Sequence, residues 1–438
     1  MAAMEYPRVL IVALGRINAA DNFNNGLLLR NLFAQWPREN LAQIFSSGDN
    51  GDAGFFGRYY QLGPQDRWFG ELFYRLKSEV QQEFLLPKIS FSIPHERSAK
   101  SRLFAWGKRF LIDTGLYELI FRPRISREME RWVRDFKPDI IFAQGYNLAF
   151  TWLPLMLAQR FEVPIAYYPT DDWPNNSYHP RYSPLLSRLT RYFVIKTSTQ
   201  LVDTADICIA FNYAMQQKYR ERYHKDFKVL MHGDDFKRFV FPRNAETHKE
   251  GSLIVTMGVF NRHRFTLLYD LDRACEILTS QGLSAHAIVY LAEPISEMYV
   301  NSFHYVKFRL CPSHCDIPRI LSEADLLFLP ERFDDTVDLI SLSVSTKAHL
   351  FMFSGKPIVV YSHPVTGIAH YAREYGWAAV VDRRDPNFLA NKFKLLLTNK
   401  EERRRLIANA YSTAMKNHNL QMIQSLFHEW LVEACERR

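Results

Sequence analysis

Short, unbroken aliphatic runs recurring between helix-patterned segments constrain this chain most. Residues 8–14 read RVLIVAL. They lack the polar alternation of a half-exposed strand, so the run predicts a strand buried on both faces. A polar loop containing Gly15, Asn18, Asn25 and Gly26 follows, and apolar residues then recur at helical spacing over 27–35. The alternation returns with strands at 140–143, 163–168 and 207–210 and helices at 151–160 and 215–222. After a polar loop at 232–251, strands are expected at 253–258, 286–291, 306–310, 325–330 and 357–361. Helices at 267–279, 317–322, 346–353 and 368–374 fall between or after them. Alternating strands and helices with few hairpin signals predict an α/β chain of two Rossmann-like domains, each a doubly wound parallel sheet.

Composition supports this reading and closes others. Of 438 residues, 47% are hydrophobic and 23% charged, with 18 Gly and 21 Pro. That balance excludes extended disorder, collagen-like repeats and low-complexity chains. The length suits two large domains. The first is placed at 1–240, with an irregular helical insertion at 55–134 where aromatics interleave with Arg and Lys, and the second at 241–415. Residues 416–438 are read as a helical tail packing back towards the first domain.

Five Cys, at 208, 275, 311, 315 and 435, are too few and too scattered for a disulfide framework, which predicts a reducing, cytoplasmic compartment. The first fourteen residues lack a secretory leader pattern, and the uncharged stretch 140–159 is broken by Gln144, Gly145, Asn147 and Pro154. No transmembrane segment is expected. Lys and Arg exceed Asp and Glu by eight, which suits a polyanion such as nucleic acid, an anionic membrane surface or a phosphorylated ligand. Within 97–137 eleven cations meet five acids, interspersed with Phe104, Trp106, Phe110, Tyr117 and Phe121. This stretch is expected to favour a lipid interface; the competing reading packs its aromatics into the first domain. No P-loop, GxGxxG, zinc-protease helix or nucleophile elbow is present, and Cys311, His314 and Cys315 lack the second ligand pair of a zinc site. No metal is expected.

Ser345-Thr346-Lys347 precedes a short apolar helix that ends at Ser354-Gly355-Lys356-Pro357 and runs into a strand. Here the chain resembles the carboxy-terminal domain of GT-B glycosyltransferases, above all the retaining, sugar-nucleotide-dependent group of bacterial polysaccharide assembly. Further similar segments lie in the same order: Gly15-Arg16-Ile17-Asn18 to Gly26-Leu27, Trp36-Pro37, Asp171-Asp172-Trp173-Pro174, Ala205-Asp206, and Met257-Gly258-Val259 followed by Arg262 and Arg264.

The resemblance implies two domains facing an interdomain cleft, a nucleoside diphosphate sugar donor in the second domain, and a saccharide or lipid-linked acceptor in the first. A diphosphate needs cations and backbone amides, for which Arg262, Arg264, Thr346 and Lys347 are the candidates, with Gly15, Arg16 and Gly26 from the first loop. The competing reading of Lys347 is an ordinary first-turn lysine. The group usually carries a ribose-binding carboxylate five residues before the glycine; here that position is Leu350. Glu331, Asp334 and Asp335 are candidates for a sugar or ribose contact, or else form a solvated acidic loop. Asp171 and Asp172, at a strand's carboxyl end, are the catalytic candidates, able to orient an acceptor hydroxyl or stabilise charge at the anomeric carbon; their alternative is a helix cap. Two other functions stay open: a nucleotide-sugar epimerase of the same fold, and a degenerate GT-B protein that only binds. No recognised nucleic-acid module accompanies the basic excess, so nucleic acid is not an expected partner. A cytoplasmic enzyme, peripheral on the membrane face, is the expected setting.

Overall fold

A computed structural model describes residues 6–19, 24–48, 53–70, 107, 109–181, 183–239, 251–260, 262–292, 294, 300–311 and 313–437; the side chains of Asn24 and Arg262 lie outside this description. Much of the basic stretch, including Arg97, Lys100, Arg102, Phe104, Trp106 and Lys108, also falls outside it.

The chain divides into two compact units. The first comprises Met1–Asp21, Leu32–Leu230 and Gln424–Arg438. Its sheet contains β1 (Val9–Val12), β2 (Leu41–Phe45), β3 (Arg58–Gln61), β4 (Ile140–Ala143), β5 (Ile165–Tyr167), β6 (Ile207–Ala210) and β7 (Lys228–Val229). These seven strands are ordered β3-β2-β1-β4-β5-β6-β7, and every pairing is parallel. The chain therefore winds outward in both directions from β1, and the switch lies between β1 and β4. All four residues of β1, β4 and β6 are buried, as expected where helices cover both faces.

Sequence reading missed β2 and β3, and the structure gives the reason. β2 holds a fully buried Gln43, whose Nε2 donates to the Gly15 carbonyl at 2.7 Å and whose Oε1 accepts from the Ile17 N–H at 3.0 Å. This amide is polar because it fixes the first loop, and it interrupts the aliphatic signature. β3 is an edge strand, RYYQ, with only Tyr60 buried, so it carries no long apolar run. Within 55–134, a strand therefore accompanies the expected helices Leu116–Ile120 and Arg127–Phe136.

The second unit comprises Asn22–Asn31 and Met231–Ile423. It contains β8 (Ser252–Gly258), β9 (Ala285–Leu291), β10 (Val306–Leu310), β11 (Leu326–Pro330), β12 (Ile358–Tyr361) and β13 (Ala379–Val381). Their order is β10-β9-β8-β11-β12-β13, again parallel throughout. One core cluster joins Ile254, Leu271, Val289, Phe328, Val359 and Phe393 beneath the long helices Arg262–Ser280 and Pro386–Thr398.

The last helix, Leu420–Glu436, contributes residues from Gln424 onward to the first unit. Its Phe427 is fully buried, with ring centroids 5.1 Å from Phe33, 5.7 Å from Trp36 and 5.6 Å from Phe142. Lys228 Nζ closes the outer side with an ion pair to Glu433 at 2.6 Å. Phe427→Ala should open a cavity among these rings and destabilise the first unit by about 3–5 kcal/mol, read as a lowered denaturation midpoint in urea.

Candidate functional site

The strand ends of the second unit form a pocket of about 480 Å³, a size that suits a small organic ligand. It lies where chains leave the sheet at their carboxyl ends: Met257, Gly258 and Val259 after β8, Ala292 after β9, Cys311 after β10, and Glu331 after β11. Because β8 and β11 are neighbours from which the chain winds in opposite directions, the loops after them diverge and leave a crevice. Residues Ser343 to Lys347 form one wall, and Leu27 of the helix Asn24–Leu32 reaches another.

Three of the predicted residues meet here. Glu331 is 3% exposed and receives Arg264 as a fork: Nη2 to Oε1 at 2.8 Å and Nε to Oε2 at 3.1 Å. The Glu331 N–H is held by the Tyr361 carbonyl at 2.8 Å, so this carboxylate is fixed by the sheet and fixes the arginine in turn. Lys347 stands at the N-cap of the short helix Ala348–Phe353, all six residues of which are buried. Its chain crosses Gly258 so closely that a Cβ there would lie 3.1 Å from the lysine Cδ and Nζ. Gly258 also has φ +127°, a conformation that only glycine adopts without strain. Burial pushes the Lys347 ammonium down to about 8, and the Arg264 charge adds to that effect while Glu331 opposes it. The site thus holds a lysine whose proton is loosely bound until an anion arrives.

Of the other predicted residues, Thr346 lines the same pocket beside Lys347. Arg262 opens the helix Arg262–Ser280, with its side chain outside the described residues. Asp334 is turned onto Arg332 and Thr336, at 2.9 Å from the Arg332 Nε and 2.9 Å from the Thr336 N–H. Burial raises its carboxyl, but these partners outweigh burial and hold it well below the usual range. Leu350 lines the pocket where the resemblance expects a carboxylate.

Sequence reading also missed the pocket's histidines. His232, His314 and His349 line it. His232 and His349 stack with centroids 5.6 Å apart and planes 4° from parallel, and His418 follows His349 at 5.7 Å. The His418 Nδ1 meets the His232 carbonyl at 2.5 Å and its Nε2 meets the Tyr371 hydroxyl at 3.0 Å. Burial pushes His232 down to about 3 and His418 to about 4, and carries His349 well below its ordinary value. These rings are neutral at physiological pH. They come from positions 232, 349 and 418, which share no local motif, so only the fold brings them together.

Of the remaining candidates, Gly15, Arg16, Asp171 and Asp172 belong to the first unit. Gly15 bridges to Ser47, and a side chain at Gly15 would meet only the Ser47 Oγ at 3.9 Å, so the backbone does not demand glycine there. The Arg16 guanidinium lies 4.8 Å from the Tyr59 ring centroid. Gly26, expected in a loop, sits inside the helix Asn24–Leu32 and is grouped with the second unit.

Asp171 and Asp172 follow β5 and differ sharply. Asp172 is buried and accepts from the Tyr219 hydroxyl at 2.9 Å, Arg222 Nη1 at 2.9 Å and Asn175 Nδ2 at 2.5 Å. It occupies the N-cap position of the helix Trp173–Asn176 without making a side-chain cap bond. Asp171 is exposed at its surface, yet desolvation pushes its carboxyl up to about 6, with the Asp172 charge adding and the Trp173 N–H opposing. One carboxylate is locked by partners; its neighbour titrates near neutrality. Gly145-Tyr146-Asn147, after β4, forms a left-handed turn and a cap, with Asn147 Oδ1 accepting the Phe150 N–H at 2.9 Å.

No family model matches the chain, and no curated protein matches it. Solved structures match over nearly its whole length. A sucrose-phosphate synthase from Thermosynechococcus elongatus is 13% identical, with a TM-score of 0.64 over 98% of this chain and 99% of that one. HepE from Anabaena, solved with UDP and glucose, is 15% identical, with a TM-score of 0.55 over 97% and 99%. An α,α-trehalose 6-phosphate synthase from Burkholderia multivorans is 10% identical, with a TM-score of 0.58 over 99% and 97%. With two all-parallel sheets of seven and six strands, the chain has the GT-B fold.

Anion binding at Lys347 requires the protonated amine. The ratio of wild-type to Lys347→Met affinity for inorganic diphosphate, in which the ligand's own ionisation cancels, should therefore be constant well below pH 8 and fall about tenfold per pH unit well above it. Titration calorimetry across this range measures both.

Proposed function

We propose that this chain is a glycosyltransferase that takes a sugar from a nucleoside diphosphate donor held in the second unit. The observation that carries the reading is the Lys347 amine, laid across Gly258 beside the Arg264–Glu331 pair at the strand ends of a GT-B unit. A diphosphate's negative charge would strengthen this amine's hold on its proton, beside an arginine that Glu331 fixes in place. The uncharged part of the donor suits the remaining walls, which are neutral imidazoles and the apolar Met257, Val344, Leu350 and Ile368. Fold neighbours point the same way: HepE was solved with UDP-glucose, and the synthases make phosphorylated sugars joined through glycosidic bonds by name.

In this reading the acceptor, a saccharide or lipid-linked sugar, meets the first unit, and transfer proceeds with retention in a cytoplasmic, polysaccharide-building setting. No metal is assigned a role. Asp171 is the group suited to orient and deprotonate an acceptor hydroxyl, because its pKa lies near the operating range. Asp172 positions the segment through Tyr219 and Arg222.

A thermal-shift screen of nucleoside diphosphate sugars, followed by turnover assays, tests this directly. A donor at about 100 times its dissociation constant should stabilise the protein by about 2.7 kcal/mol. Lys347→Ala should weaken donor binding by about 2–5 kcal/mol; wild-type affinity in the folded variant would remove its role. Turnover without any acceptor would instead mark an epimerase, and binding without turnover a non-catalytic protein.

For Asp171 the sign is set by its raised pKa. As a base it acts when ionised, so turnover should rise through about pH 6. Asp171→Asn should abolish that limb and lower turnover about 10²–10⁴-fold while leaving donor affinity unchanged.

A further inference from the structure

Among the described residues of the first unit nine large apolar side chains are exposed, and four of them fall within residues 185–192. Leu185, Leu186, Leu189 and Tyr192 are 70%, 53%, 54% and 58% exposed along the start of the helix Ser187–Thr204. Leu185, Leu189, Tyr192 and Lys196 recur at helical spacing, so they project from a single face. Contacts beneath the exposed face tie this helix to the segments that carry four of the others. The Thr190 hydroxyl donates to the Thr114 carbonyl at 3.0 Å, which brings in Phe110 and Ile120. The Arg122 guanidinium lies 5.3 Å from the Phe193 ring centroid, and the Arg122 carbonyl accepts the Trp68 N–H at 2.9 Å, which adds Trp68 and Phe69.

A soluble surface of this kind is normally interrupted by charges of both signs. Here only one sign appears along the helix: residues 173–202 contain Arg181, Arg188, Arg191 and Lys196 and no Asp or Glu. Arg188 and Lys196 are exposed among the leucines, and Arg122 and Arg109, the latter 3.6 Å from the exposed Asp113, are exposed on the neighbouring segments. Leucines and aromatics at the centre with cations around them match an acyl and headgroup boundary, in which apolar side chains sink below the phosphates and the cations meet them.

We propose that this face, centred on residues 185–196 with Trp68, Phe69, Phe110 and Ile120 beside it, docks the protein onto an anionic bilayer surface. It joins part of the 97–137 stretch, which supplies Phe110 and Ile120, to a helix that sequence reading passed over. It stands independently of the donor reading, because none of these residues lines the nucleotide pocket.

Co-sedimentation of the full chain with vesicles of phosphatidylcholine alone, or mixed with phosphatidylglycerol, tests it at low and high salt. Wild-type protein should partition onto the anionic vesicles and leave them at high salt. Each cation is worth about fivefold near an anionic leaflet, so Arg188→Gln with Lys196→Gln should lose about twentyfold. Leu185→Ser with Leu189→Ser, at side chains that are already exposed, should lose at least about tenfold at either salt while keeping the wild-type thermal midpoint and donor-induced shift. Failure to bind anionic vesicles, or wild-type binding in both folded variants, overturns the proposal. So does a concentration-dependent dimer that the leucine variant disperses, because a second copy would then own the face.

Discussion

Burial of β8 on both faces is the constraint on which the rest of the second unit depends. Five of its seven residues are buried, four of them apolar and one the small Thr256, so the strand has little room for polar side chains beyond its closed ladder. Polar chemistry is driven to its carboxyl end, where the chain leaves through Gly258. There the missing Cβ admits the Lys347 chain, and the low polarity of the same surroundings loosens the proton on that lysine. Fold and titration thus share one cause: a sheet with no exposed face places its functional groups in a partly desolvated rim.

The charges around that rim are nearly balanced. Glu331 absorbs Arg264, Lys347 holds a proton only loosely, and the imidazoles of His232, His349 and His418 stay neutral. Such a pocket offers little to a ligand that is anionic along its whole length. It suits one that concentrates charge at one point and presents hydroxyls or carbonyls elsewhere. The first unit separates roles in the same manner, since Asp172 is surrounded by donors and cannot leave its place, whereas Asp171 has only the Trp173 N–H to hold its charged form.

The sequence reveals what is local. Runs such as 8–14, 140–143 and 253–258 are legible as strands because both faces are buried and no alternation is needed. Lys347 and Glu331 can be picked out because one precedes an apolar helix and the other ends an apolar strand. What escapes is whatever depends on distant partners: β2, broken by a glutamine that serves the first loop; β3, an edge strand; and the histidine stack, assembled from three remote positions. The exposed leucines of 185–189 escape for the opposite reason. On a helix pattern an apolar face reads as core, and the folded chain leaves this one exposed among the described residues.

The path of the chain has its own consequence. It leaves the first unit at Leu230, builds nearly all of the second, and returns at Gln424. Phe427 is thus made after nearly all of the second unit, although it seals rings laid down at Phe33, Trp36 and Phe142. On the ribosome, the second unit has nearly its entire sequence while the earlier-born unit still lacks the closing helix. Order of birth and order of completion are reversed, and the unit begun first keeps an unfilled groove until the helix Leu420–Glu436 has been made.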